Sequence, residues 1–206
     1  MPMDNFFKVR AEKQNHIINA AFAIFGRQGY RKASLSDIAK TAGITKGMIT
    51  YYFGSKKTLY LYLLEICQSL LLDAVKERIN DNTDFFTRLQ ITVEVQVKAM
   101  KEHPGLLSFT NSIYKESDPE VMTELDASII SDQKQYDFLY EGIDEIKFKP
   151  GFDPKLICRF ILWAGSGFAE ELHEMKYTRE QLEKATSDFY ECIKIMRETF
   201  TEINLE

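Results

Sequence analysis

Cysteine and histidine are scarce in this 206-residue chain, three of each. Neither Cys67, Cys158 and Cys192 nor His16, His103 and His173 fall at metal-ligand spacing. A structural zinc site and a disulfide framework are therefore not expected, and the thiols read as buried and free because each lies in an apolar helical pattern. Five prolines and few strand or hairpin signals argue against a β architecture. Long apolar runs are also missing: Leu59 to Leu72 is interrupted by Glu65 and Leu156 to Ala169 by Arg159. Both stretches read as too short to span a bilayer, and MPMDNFFKVR lacks the apolar run of a signal peptide, so the expectation is a cytoplasmic protein with no membrane partner. There is no GxSxG, HExxH, P-loop or dinucleotide fingerprint, and Glu170, Glu171, His173 and Glu174 read as a solvated face. No catalytic group, metal or cofactor is expected.

The chain has 45% hydrophobic residues and a helical period, enough to bury a substantial core. Its net charge of −5 is unevenly spread. Residues 1–60 hold ten basic and three acidic side chains, a surplus of seven, so the remainder carries −12. A basic end on an acidic body orients a molecule toward a polyanion and keeps the body off it. Helices are expected from Ser55 to about Ile79, Thr83 to Glu102, a shorter one to Tyr114, Ser117 toward Ile146, then from Asp153, and finally at the carboxyl end.

Ser34 to Leu59 carries the most information. Ser34 caps a helix with Leu35, Ile38, Ala39 and Ala42 at helical spacing, and Gly43 supplies a reversal. Thr45 caps a second helix, on which Ile49 and Phe53 share the anchoring face. Gly47, Thr50 and Tyr51 point away, with Met48 and Tyr52 on the flanks. Glycine early in a helix lets another backbone approach closely. Lys46 at one end, with Lys56 and Lys57 beyond the other, completes a clamp for phosphates, which helix N-termini also attract. Two helices joined by a tight turn, the second entering a major groove, is the helix-turn-helix arrangement.

These residues resemble the TetR/AcrR transcriptional regulators. Ile38-Ala39, Ala42-Gly43, Ile44, Thr45, Gly47, Ile49, Tyr52, Phe53, Ser55 and Lys56 fall on that family's pattern without a gap, and Ile17, Ala20, Ala21, Phe22, Phe25, Gly29 and Tyr30 extend the likeness through residues 10–65. Thr50 stands where the family usually has Tyr, Met48 where it has a smaller residue, and Lys57 where it often has Glu, differences that bear on operator preference. Met48 suits an apolar contact with a thymine methyl. The resemblance implies an all-α fold: a three-helix DNA-binding domain over residues 1–55, with the helix-turn-helix at about 34–53, and a helical bundle over 56–206 for ligand binding and dimerisation. The expected DNA-contacting set is Ser34, Ser36, Lys46, Gly47, Met48, Thr50, Tyr51, Tyr52 and Lys56.

The resemblance further implies a repressor that binds a near-palindromic double-stranded operator as a homodimer and is released by a small-molecule effector. An alternative keeps the DNA head and makes the body an adaptor that recruits a protein partner. Side chains suited to a largely apolar pocket are Phe109, Tyr114, Met122, Tyr136, Tyr140, Phe160, Trp163 and Phe168. In the final helix Phe189, Ile193, Met196, Phe200 and Ile203 are spaced 4, 3, 4, 3, a continuous seam. With Ile157, Ile161, Ala164 and Gly165, the residues Phe189, Ile193, Met196 and Phe200 are expected to pair with their copies in a twin chain. The other possibility is a terminal helix buried against its own domain.

Overall fold

The computed structural model describes residues 3–128, 146–174 and 179–202. Helix follows helix throughout: α1 (Asp4–Phe7), α2 (Ala11–Lys32), α3 (Leu35–Thr41), α4 (Lys46–Phe53), α5 (Lys56–Cys67), α6 (Ala74–Lys76), α7 (Phe85–Glu102), α8 (Leu106–Ile113), α9 (Pro119–Ser128), α10 (Pro154–Glu174) and α11 (Arg179–Phe200). Gln68–Asp73 joins α5 to α6 as a π-helical stretch. Among the described residues the only β pairing is an isolated bridge between Phe148 and Thr201. The fold is all-α, as the period required.

The chain divides into two compact units: residues 1–73 with 98–132, and 74–97 with 133–206. The boundary expected after residue 55 falls inside the first of these. Its core is aromatic. Phe22, Phe25, Tyr30, Tyr60 and Phe109 pack mostly edge to face or tilted, with Phe22 and Phe109 5.2 Å apart and Tyr60 and Phe109 also 5.2 Å apart, while Phe25 stacks on Tyr30. A helical glycine on one side and a loop glycine on the other let α2 and α8 meet closely. A methyl group on Gly26 would sit 2.7 Å from Ser108 Cβ, and one on Gly105 would sit 2.8 Å from the Ala23 nitrogen.

Two features went unread in the sequence. α1 exists because Phe6 is fully buried against the rings of Phe53 at 4.7 Å and of Tyr52 and Tyr62, each at 5.8 Å. The helix expected from Ser55 also changes character at Gln68, where the π-helical stretch begins. Lys56–Lys76 is nonetheless long and apolar enough, by length and a mean hydropathy of 1.4, to cross a membrane, which corrects the expectation that this stretch is too short. Its apolarity has a use within the fold, since Leu59, Tyr60, Leu63, Leu64 and Cys67 lie in the first unit's core.

In the second unit α7 buries Phe85, Phe86, Leu89 and Val93. Arg197 of α11 pairs with Asp84 at 3.5 Å and lies over the Phe86 ring. The helix expected to reach Ile146 is described as far as Ser128, and the rest lies outside the described residues.

Candidate nucleic-acid interface

The two helices of the Ser34–Leu59 segment are built by their caps. Ser34 Oγ accepts the Asp37 N–H at 3.1 Å and donates to the Asp37 carboxylate at 2.7 Å. Thr45 Oγ1 accepts the Met48 N–H at 3.3 Å, and Ser55 Oγ accepts the Thr58 N–H at 3.0 Å. Each cap satisfies a backbone donor that a helix start leaves unpaired. Between the helices Gly43 has φ +67°, a left-handed value that glycine adopts without strain.

Ile49 and Phe53 are fully buried and fix α4 on α1, α3 and α5. Lys46, Gly47, Thr50 and Tyr51 are exposed, as is Ser36 at the start of α3, while Ser34 and Met48 are half-buried. A methyl on Gly47 would touch nothing closer than Thr45 Oγ1 at 3.8 Å. Nothing in this chain's own packing calls for glycine there. Arg31 and Lys32 at the end of α2, Lys40 on α3 and Lys46 on α4 lie exposed in the same unit against Asp37 of α3, a local excess of positive charge.

Two members of the expected set are placed otherwise. Tyr52 is 6% exposed, its ring against Phe6, Phe53 and Tyr51, whereas Tyr51 is 62% exposed. The wheel put Tyr52 on a flank; α1, arriving from outside that window, covers the flank. Lys56 does not extend freely beyond α4. Its Nζ donates to the carbonyls of Tyr30 at 2.9 Å, Ala33 at 3.3 Å and Arg31 at 3.5 Å. Lys57 is engaged too, in an ion pair with Glu124 at 2.6 Å. Of the three lysines of the expected clamp, Lys46 is the one left exposed.

The described pocket candidates are divided between the two units. Phe109 is sealed in the first unit's core, and Met122 packs half-buried against that core. Tyr114 is exposed. In the second unit Phe160 is 49% and Trp163 61% exposed, the latter 5.1 Å beneath the Arg159 guanidinium. Phe168 stacks on Phe189 at 4.4 Å. Tyr136 and Tyr140 lie outside the described residues.

The assembly candidates split in the same way. Ile161, Phe189 and Ile193 are buried within their own unit, the arrangement named as the other possibility, because α10 and α11 pack on each other through those positions. Ile157, Ala164, Gly165, Met196 and Phe200 are half-buried, and Phe200 meets the Phe152 ring at 5.0 Å. The apolar side chains left outward are Leu156, Phe160 and Trp163 on α10 and Ile195 on α11. Cys192 is exposed as well, correcting the expectation of three buried thiols. Cys67 and Cys158 are buried, and burial pushes the Cys158 thiol up to about 11.

Residues 17–63, which span the capped helices and the α4 face, match the family model described as bacterial regulatory proteins, tetR family. Residues 17–63 therefore carry the DNA-binding domain of the TetR family. That domain reads as the DNA-binding part of a transcriptional regulator. Curated relatives include the uncharacterized HTH-type transcriptional regulator YvdT of Bacillus subtilis, 32% identical over 48% of this chain and 52% of YvdT. The chain thus spans about half the length of that relative. The HTH-type transcriptional repressor KstR2 of Mycobacterium tuberculosis is 26% identical over 72% of this chain and 76% of KstR2. The solved structure of the ketosteroid regulator KstR2 superposes with a TM-score of 0.67 at 22% identity, covering 95% of this chain and 98% of that one. FadR of Bacillus subtilis, solved in complex with stearoyl-CoA, gives 0.58 at 21% identity over 86% and 96%. None of these descriptions supports the adaptor alternative.

Proposed function

We propose that this protein is a repressor that binds a near-palindromic operator as a homodimer in the cytoplasm and leaves it when a largely apolar small molecule occupies its body. The observation that carries the reading is the open face of α4, which begins at exposed Lys46 and where Gly47 is free of packing demands from its own chain. Lys46, Gly47, Met48, Thr50 and Tyr51 enter the major groove, with Ser34 and Ser36 on α3 beside the phosphates. Support for an apolar effector comes from the relatives, one named for ketosteroids and one solved with stearoyl-CoA. Steroids and long-chain acyl thioesters are the first compounds to add to a bound complex.

The test begins with selection of bound duplexes from a random library, followed by titration against NaCl. Affinity for the selected site falls steeply with salt, because each neutralised phosphate releases counterions. Gly47→Gln separates folding from recognition. Replacing glycine in a helix by a better helix former leaves stability unchanged or raises it by up to about 1 kcal/mol. The bulk at the groove lowers operator affinity by about tenfold or more, the usual cost of a poor fit at a base edge. Full affinity in a folded Gly47→Gln protein refutes the placement of α4.

A further inference from the structure

Behind the α4 face, three helix ends converge on two charged side chains that the recognition surface does not use. The first is Lys56, whose ammonium donates to the carbonyls of Tyr30, Arg31 and Ala33 and lies 4.2 Å from the centroid of the Tyr30 ring. The second is Glu116, in the turn between α8 and α9. Its Oε2 accepts the Tyr30 N–H at 2.8 Å, while Oε1 accepts the N–H groups of Ser117 and Asp118, each at 3.0 Å. Tyr30 is thus gripped on both sides of its backbone, its N–H by a carboxylate and its carbonyl by an ammonium. The grip sits immediately after Gly29, where φ of +71° breaks the helical run of α2. A cation is favoured at a helix C-terminus, where carbonyls go unpaired.

The geometry decides between two uses of Lys56. An ammonium has three protons, and three carbonyls and a ring already surround this one. Reaching a phosphate would mean giving them up. Ala33 directly precedes Ser34, the cap of α3, and Lys56 is the first residue of α5. One side chain therefore ties the end of α2 and the entrance of α3 to the start of α5. Glu116 ties the same knot to the α8–α9 turn, and Lys57 to Glu124 of α9 repeats the link at 2.6 Å.

We propose that Lys56 and Glu116 are positioning residues for operator recognition: they fix the helix-turn-helix from behind, and Lys56 makes no phosphate contact. The proposal rests on the DNA-binding reading above. Its test uses the full chain and the duplex selected by the wild type, measuring affinity from 50 to 200 mM NaCl together with the unfolding midpoint. If the wild type selects no duplex, the DNA reading itself fails. Given wild-type binding, Lys46→Met is the control for a phosphate contact and flattens the salt slope by about 0.9. Lys56→Met weakens binding by about tenfold or more, as expected for lost charge-assisted hydrogen bonds, yet keeps the wild-type slope. Lys56→Arg recovers most of the affinity.

Glu116→Ala decides the matter independently of whether Lys56→Met folds. Removing an acidic side chain from a DNA-binding protein ordinarily strengthens binding, whereas the knot requires it to weaken binding with no change in slope. Three results overturn the proposal: a slope loss near 0.9 in Lys56→Met, unchanged or tighter binding by Glu116→Ala, or lowered midpoints in both variants with full affinity in the folded protein. The last would mean a role in folding alone.

Discussion

His103 illustrates how a single side chain gets its chemistry from its surroundings. Its ring is nearly buried at the α7–α8 junction, edge-on to Phe22, with Nδ1 2.8 Å from the Asn19 Oδ1. Asn19 in turn donates to the Glu102 carbonyl at 3.2 Å, which leaves the Asn19 oxygen to accept from a protonated Nδ1. Burial holds the imidazole pKa below its ordinary 6.5, with the Glu102 charge opposing in part. The folded protein is then the form that binds fewer protons. Its stability from this group is complete above the unfolded-state pKa and declines as pH falls below about 6.5 toward the folded value. The thermal midpoint is expected to drop between pH 7.5 and 5.5, and His103→Gln, which cannot titrate, is expected to show a smaller drop. An equal drop in both proteins would assign the loss to other groups. The sequence showed His103 only as isolated from metal ligands, because Asn19 and Phe22 come from a helix more than 80 residues earlier. Tyr52 and Lys56 were misplaced for the same reason. A helical wheel knows its own helix, and neither Phe6 nor the carbonyls at the end of α2 lie on it.

At the level of elements, the sequence was legible wherever the determinants are local. Ser34 and Thr45 cap the helices they were expected to cap, Ser55 caps the helix expected to start there, and Gly43 makes the turn. These signals depend on a few consecutive residues and on backbone hydrogen bonding. What local signals do not reveal is a helix whose reason to exist is one distant socket, as with α1 and Phe6, or a crossing set by the absence of a side chain. The α2–α8 crossing is of that second kind. Alanine at Gly26 gains about 1 kcal/mol of helix propensity, but its methyl would lie 2.7–2.8 Å from Ser108 Cβ and the Phe109 nitrogen, part of it backbone that cannot swing aside. Overpacking of this sort costs typically about 1–3 kcal/mol, so the clash wins. Urea unfolding of Gly26→Ala is expected to show a lower midpoint with a similar slope. A raised midpoint would mean that α8 can move away at little cost.

For the molecule as a whole, the question is what covers the apolar residues that folding leaves outside. Of the seam read from the sequence, Phe189 and Ile193 are turned into the second unit's own core together with Ile161 of α10, Met196 and Phe200 are half-buried, and Ile203 lies outside the described residues. Period alone cannot say whether an apolar stripe meets its own chain or a copy. Outside that core, Leu156, Phe160 and Trp163 recur at intervals of four and three along α10, each about half exposed or more, and Ile195 is exposed on α11. An exposed apolar row of this size is a mark of an interface. The twin chain of the proposed dimer is its natural cover, and the partnership matters for DNA because two linked heads bind with an effective concentration that a single head lacks. Phe160→Glu combined with Trp163→Glu places charges where the row would be covered while leaving the monomer core untouched. Light scattering is expected to report a dimer for the wild type and a monomer for the double variant, with an unaltered helical spectrum. Operator affinity should fall by about 100-fold or more, the scale of avidity lost when two sites cannot be held together. Ile193→Glu is the contrasting change, since it buries a charge inside the unit and is expected to unfold the protein rather than split it. A Phe160→Glu, Trp163→Glu protein that stays dimeric at micromolar concentration would move the interface to another face and leave the outward row of α10 without a role in assembly.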